Sequence, residues 1–217
     1  MFTGIKGLLF DLDGTLADSL WIWPAIDVEF LGEYGIDCPG GIQEDLGGSS
    51  FYEVAVYFKN RFDIPLSLSE IMDRWNDMAR DKYAREIPLK EGVRSFLLRA
   101  REKNYKMAIA SSNSRVLVEE FLKKEGIDEF IDTIVSSDEA ANGKPAPDVY
   151  LMAAKKLGLK NSECFVFEDI PDGIRAGKAA GCRVCAMEDR FSADKREEKR
   201  LLADYYADSF AELEEFL

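Results

Sequence analysis

The chain reads as an α/β protein: a Rossmann-like parallel sheet core with helices on both faces, plus an inserted all-α cap domain. Two observations predict this. Short apolar runs recur along the chain, each followed by small or acidic residues and then by a helical repeat. Alternating strand and helix patterns favour a parallel sheet covered on both faces. After the first run, residues 17–87 carry consecutive helical patterns with no strand among them. The predicted core is therefore discontinuous, 1–16 and 88–217, with 17–87 as the cap.

The first run, residues 5–10, is strand-like and ends in Asp11-Leu12-Asp13-Gly14-Thr15. In the cap, Trp21, Ala25, Val28 and Phe30-Leu31 suggest a helix, and Gly47-Gly48-Ser49-Ser50 a break. Helices are expected over 51–62 and 67–85. The second opens with Ser67 and has Glu70 three residues on, the pattern of a capping box. Pro88 closes the segment. Strands follow at 105–110, 131–135, 164–167 and 183–187. Helices are expected at 93–103, 115–125, 148–157 and 172–180, where apolar residues such as Val93, Phe96, Leu97 and Ala100 recur at helical spacing. The mixed charges of 194–200 read as a solvated helix face.

Composition narrows the function. With 217 residues, 47% of them apolar and 32% charged, the chain has the makeup of an ordinary globular protein. A formal net charge of −13 argues against a nucleic-acid surface, which needs basic clusters, and against anionic membranes. No apolar stretch approaches the roughly 20 residues of a membrane span. A cytoplasmic protein, monomeric or weakly dimeric, is expected. Cys182-Arg183-Val184-Cys185 matches C-x-x-C, but residues three apart on a strand point to opposite faces, so buried structural cysteines are expected. The chain has no histidine. That excludes Ser-His-Asp and Cys-His catalysis and His-ligated zinc. Acid–base chemistry falls to carboxylates, lysine, tyrosine or cysteine.

The strand ends carry the candidate chemistry. They offer Asp11 and Asp13, then Ser111-Ser112-Asn113, then Glu168-Asp169, and a lysine in the stiff loop Gly143-Lys144-Pro145-Ala146-Pro147. Each has a plainer reading: a surface turn at Asp11–Asp13, a helix N-cap at Ser111, a solvated Lys144, and a helix-start acid pair at Glu168-Asp169. If the ends converge, four carboxylates meet. Each like-charge pair at about 4 Å costs on the order of 4 kcal/mol at an effective dielectric of about 20. A divalent cation and Lys144 relieve that cost. An all-oxygen ligand set favours Mg²⁺, and a carboxylate beside Mg²⁺ is suited to attack phosphorus.

Taken in order, these blocks resemble the haloacid dehalogenase superfamily of phosphohydrolases with an α-helical cap. The resemblance is to its β-phosphoglucomutase-like and phosphoglycolate-phosphatase-like branch. It spans nearly the whole chain and rests on Asp11 to Ser19, Ser111-Ser112-Asn113, Gly143 to Asp148, and Glu168-Asp169 with Gly173-Ile174 and Ala176. It implies that Asp11 is the nucleophile. Asp13 is the general acid/base and joins the metal through its backbone carbonyl. Ser111 and the Ser112 N–H hold the phosphoryl group, with Thr15 and Asn113 in the same site. Lys144 neutralises charge, and Glu168 and Asp169 bind Mg²⁺ beside Asp11.

The expected partner is a small phosphorylated metabolite, with its leaving group shaped by Trp21, Trp23, Phe51 and Lys82. Ile170 stands where relatives often have serine. Asp172 is an extra acid, either a partner of the metal ligands or an N-cap. Sugar-phosphate mutases of this branch usually carry a histidine after the first motif and a basic residue after the Gly-x-Ser turn. This chain has neither, since Phe51 follows Gly48-Ser49-Ser50; Lys82 and Arg85 are the remaining candidates for a second anion site. A phosphatase is therefore expected ahead of a mutase, with a non-catalytic phospholigand-binding protein as a third reading. A dehalogenase is disfavoured by Asp13-Gly14-Thr15.

Overall fold

The computed structural model describes residues 1–42, 46, 49–136 and 139–217. Gly47 and Gly48, assigned above to a break, lie outside the described residues. Among those described, six strands form one all-parallel sheet: β1 (Gly7–Phe10), β2 (Lys106–Ser111), β3 (Thr133–Ser136), β4 (Cys164–Glu168), β5 (Arg183–Met187) and β6 (Tyr205–Ala207). Their order is β3-β2-β1-β4-β5-β6. The five expected strands are present, with ends displaced by at most two residues. The three-residue β6 was not expected.

β1 lies at the centre, where the strand order reverses. Such a switch point opens a crevice at the C-terminal ends of the strands. The register aligns these ends: Phe10 sits between Ile109 of β2 and Phe167 of β4. The polar residues that follow each strand therefore emerge at one level.

Alternation along the strands divides the apolar residues between two cores. Leu8, Phe10, Met107, Ile109, Phe165 and Phe167 face one core, shared with α4 (Val93–Glu102) and α5 (Arg115–Glu125). Leu9, Ala108, Ala110 and Val166 face the other, shared with α6 (Asp148–Leu157) and α7 (Pro171–Ala179). The Phe10 and Phe167 rings stack at 4.9 Å. Full burial of each contributes about 1.5–3 kcal/mol. Cys185 falls in the first core and Cys182 in the second, so the C-x-x-C pair is split across the sheet and both thiols are free.

Between β1 and α4 lie α1 (Ile22–Gly32), α2 (Phe51–Phe62) and α3 (Leu68–Arg85). Capping boxes at Ser50/Glu53 and Ser67/Glu70 start α2 and α3, satisfying backbone N–H groups that a helix start leaves free. The buried stripe of α3 is Ile71, Trp75, Ala79 and Tyr83, at a strict four-residue spacing, and the helix packs on α5. The helix expected around Trp21 to Leu31 is present as α1. It buries Ile22, Ile26, Asp27, Phe30 and Leu31, while Val28 is 58% exposed. Apolar residues surround this helix, so periodicity alone does not set which face turns inward.

The chain enters and leaves this helical segment side by side. Asp18 N–H donates to Pro88 O at 3.0 Å and Lys90 N–H to Leu16 O at 2.9 Å, with Ala17 opposite Leu89. A correction concerns α8 (Arg196–Leu202). Its Lys199 is fully buried rather than solvated, and its ammonium donates to Met187 O at 3.0 Å and Ser192 Oγ at 2.8 Å. Among the described residues, no helix is long and apolar enough to cross a membrane.

Candidate active site

A cavity of about 590 Å³ opens where β1, β2 and β4 end. Asp11, Asp13, Ser111, Ser112, Asn113, Lys144 and Asp169 all line it. Residues drawn from four separate sequence blocks thus meet in one place.

Asp11 leaves the tip of β1, its backbone N–H held by Phe167 O at 3.0 Å. The residue is 6% exposed, and its carboxylate accepts from Lys144 Nζ at 2.5 Å. Lys144 is buried and also donates to Glu168, so the solvated-loop reading does not apply. Glu168 is fully buried and further accepts from Tyr150 OH at 2.6 Å and Asp169 N–H at 3.1 Å. Thr15 Oγ1 donates to Asp169 Oδ1 at 3.0 Å, which turns Thr15 toward Asp169; it does not line the cavity.

Asp11, Glu168 and Asp169 bring carboxylate oxygens within 4.8 Å of one another. Asp169 Oδ2 is buried without a hydrogen-bond partner. An orphaned, oxygen-only, anionic pocket of this kind fits a hard divalent cation, which supplies what the protein does not. The Asp13 side chain is not part of this trio. Two glycines make room for it. A Cβ at Gly14, whose φ is +82°, would lie 2.3 Å from Asp169 Oδ2, and one at Gly173 would lie 1.9 Å from Glu168 Cδ.

The electrostatics express this crowding. Burial, then the charges of Glu168, Asp169 and Asp13, push the Asp11 carboxyl well above the usual range despite Lys144. Burial, with Glu168 and Asp189, pushes Asp169 up to about 7. Burial alone would lower the Lys144 ammonium, but Asp11 and Glu168 overcome it and hold the group above its ordinary value.

Asp13 occupies a different cradle. Ser19 Oγ donates to Oδ1 at 2.5 Å, Tyr83 OH also donates to Oδ1, and Asn113 Nδ2 donates to Oδ2 at 2.9 Å. The Asn113 amide is thus committed to Asp13, Tyr83 and the Ser114 N–H. Ser111 Oγ accepts the Asn113 N–H at 3.1 Å, while the N-cap of α5 is Ser114, not Ser111. Asp172 neither caps α7, whose N-cap is Ile170, nor joins the acid trio; it accepts from Arg175 at 2.9 Å.

From the helical segment, Trp23, Ile26, Asp27, Phe51, Val54 and Trp75 are prominent in the wall opposite the acids. Among the described residues, the segment contributes no lysine or arginine to it. Trp21 and Lys82 lie elsewhere, Lys82 Nζ 5.7 Å from the Trp21 ring centre, and Arg85 is exposed near Asp81. Three contributors went unread in the sequence. Tyr83 looks like helix core. Tyr150 sits in the apolar stripe of α6. Lys90 donates to Gly14 O and Glu188 O, both at 2.6 Å, and to Asp189 at 2.9 Å, pinning the turn after Asp13.

The family model for haloacid dehalogenase-like hydrolases matches residues 8–187. The fructose-1-phosphate phosphatase YqaB of Escherichia coli (strain K12) is 31% identical over 185 residues, covering 83% of this chain and 95% of that protein. The bifunctional riboflavin kinase/FMN phosphatase of Arabidopsis thaliana is 31% identical over 183 residues; the match spans 83% of this chain and 48% of that longer protein, about half its length. The crystal structure of CbbY from Rhodobacter sphaeroides in complex with phosphate superposes with a TM-score of 0.86 at 28% identity, covering 96% of each chain.

Proposed function

The chain belongs to the haloacid dehalogenase-like hydrolase family, and on that premise we propose that it is a Mg²⁺-dependent phosphatase. Its substrate is a small phosphorylated metabolite, a sugar-phosphate-like monoester, hydrolysed through an aspartyl phosphate on Asp11. One observation carries this reading: the buried Asp11 carboxylate lines the cavity, neutralised by Lys144 and adjacent to the orphaned oxygen of Asp169. Named phosphatases among the relatives, acting on fructose 1-phosphate and on FMN, support it.

An Asp11 oxygen attacks phosphorus in line with the ester oxygen. The P–O bond to the leaving group breaks as Asp13 gives that oxygen a proton. Asp13, now a carboxylate, takes a proton from water. The resulting hydroxide attacks the aspartyl phosphate, freeing inorganic phosphate and restoring Asp11. Ser111 and the Ser112 N–H hold the phosphoryl oxygens, and Lys144 balances the charge on Asp11. Asp11, Glu168 and Asp169, with the Asp13 carbonyl, would hold Mg²⁺, which when bound supplies positive charge to the phosphoryl oxygens.

Residues 17–87 act as a cap over residues 1–16 and 88–217. The paired crossings at Asp18–Pro88, Leu16–Lys90 and Ala17–Leu89 support a hinge there. The cap wall favours hydrolysis over mutase chemistry. A mutase holds a bisphosphate in two orientations and needs a second anion site, and the described cap wall carries no cation. A phosphate-release screen over small phosphate esters tests the proposal, run with Mg²⁺ and with EDTA on protein verified as folded. Turnover that is unaffected by EDTA, or faster isomerisation than phosphate release, counts against it.

A further inference from the structure

Resting on the acid/base reading of Asp13, we infer that Tyr83 is a positioning residue that orients Asp13 for proton delivery to the leaving group. Tyr83 ends the buried stripe of α3, and its ring is fully buried. Its hydroxyl reaches Asp13 from α3, whereas Ser19, at the start of the cap segment, and Asn113 reach the same carboxylate from the loops after β1 and β2.

The proton positions follow from the network. Ser114 N–H donates to Asn113 Oδ1 at 2.7 Å, which leaves Nδ2 as the end of the amide facing Asp13. Nδ2 also donates to Tyr83 OH at 2.7 Å. The phenol oxygen therefore accepts from Asn113 and sends its one proton to Asp13 Oδ1. With Ser19 on the same oxygen and Asn113 on the other, both carboxylate oxygens are held. A short side chain gripped at both oxygens has a defined carboxylate plane, which a group that must meet one ester oxygen requires. Because the Tyr83 grip comes from α3, this additional constraint on the plane ties the orientation of Asp13 to the packing of α3 against the β1 and β2 loops.

A buried tyrosine that merely satisfies its hydroxyl would give the same contacts, so the test reads proton delivery rather than stability. Phenyl phosphate and p-nitrophenyl phosphate have the same ring, but phenolate needs a proton to leave and p-nitrophenolate largely does not. In Tyr83→Phe, kcat/KM for phenyl phosphate is expected to fall at least about tenfold, with p-nitrophenyl phosphate changed by less than about threefold. Ser19→Ala, which removes the other donor to Oδ1, is expected to shift the ratio in the same direction, and serves if Tyr83→Phe fails to fold. Equal loss on both esters, or no loss on either, overturns the positioning role. Asp13→Asn runs in parallel. If it leaves the ratio of the two esters unchanged, the acid/base reading of Asp13 fails, independently of Tyr83.

Discussion

Lys144 Nζ lies 2.5 Å from Asp11 Oδ1, so a lysine from the loop before α6 meets the carboxylate at the tip of β1. The same ammonium reaches Glu168 at the end of β4. One buried cation thus holds together two strand ends that would otherwise repel.

Replacing it leaves two buried carboxylates without a counter-charge. Lys144→Met should destabilise the metal-free protein at neutral pH by about 3–5 kcal/mol, the cost of breaking a buried pair. The deficit should be smaller at pH 5 than at neutral pH, because burial pushes the Asp11 carboxyl upward and favours its neutral form. Phosphate release should fall by about two orders of magnitude or more. Urea denaturation at the two pH values, with a kinetic assay, measures all three.

Metal-free stability should also follow Asp169. Its carboxyl titrates near 3.8 ordinarily and is pushed up to about 7 here, chiefly by burial and then by Glu168 and Asp189. Between those values the native state binds more protons than the unfolded chain, so this contribution is complete at low pH and lost as pH rises through 7. Glu188, held at about 2 chiefly by Arg196, acts in the opposite sense in a lower window. Mg²⁺ bound to the trio as proposed would relieve its charged state, so the effect of added Mg²⁺ on Tm should be larger at pH 8 than at pH 5. Equal shifts in a thermal melt at both pH values would contradict this.

Glycine content around Glu168 gives a steric test. Gly173→Ala places a methyl carbon 1.9 Å from Glu168 Cδ, inside a carboxylate that cannot retreat to solvent, and should cost both stability and activity. Gly32→Ala, on α1 with open space around its Cβ, should be neutral or stabilising by up to about 1 kcal/mol. Thermal melts of the two variants are the comparison.

The cap wall should govern the leaving group and not the phosphate. Trp23→Ala is expected to lower kcat/KM for the best ester by about tenfold while leaving the inhibition constant of inorganic phosphate within about twofold. A parallel weakening of phosphate inhibition would place Trp23 at the wrong end of the cavity.

Much of this architecture was legible because the strands that build the site are short, apolar and end in polar residues. That pattern marks Asp11, Ser111 and Asp169 independently of their distance in sequence. β6 escaped because three residues between Asp204 and Asp208 leave no periodicity to read. Lys199 escaped because its neighbours in sequence are charged and exposed, while its partners, Met187 O and Ser192, lie on other elements. Tyr83 and Lys90 escaped for a related reason: Tyr83 near the end of α3 and Lys90 in the loop before α4 each act on a group 70 or more residues away, and no local spacing records that contact. Lys82 shows the converse, a well-placed charge in sequence that the turn of α3 directs to Trp21 rather than to the cavity.

The central claim is that Asp11 is the nucleophile. Phosphate release by Asp11→Asn, measured with saturating Mg²⁺ on the best ester from the screen, tests it most directly. With the fold intact by circular dichroism, the rate should drop by about four orders of magnitude or more. Release within about tenfold of the unaltered protein would contradict the account.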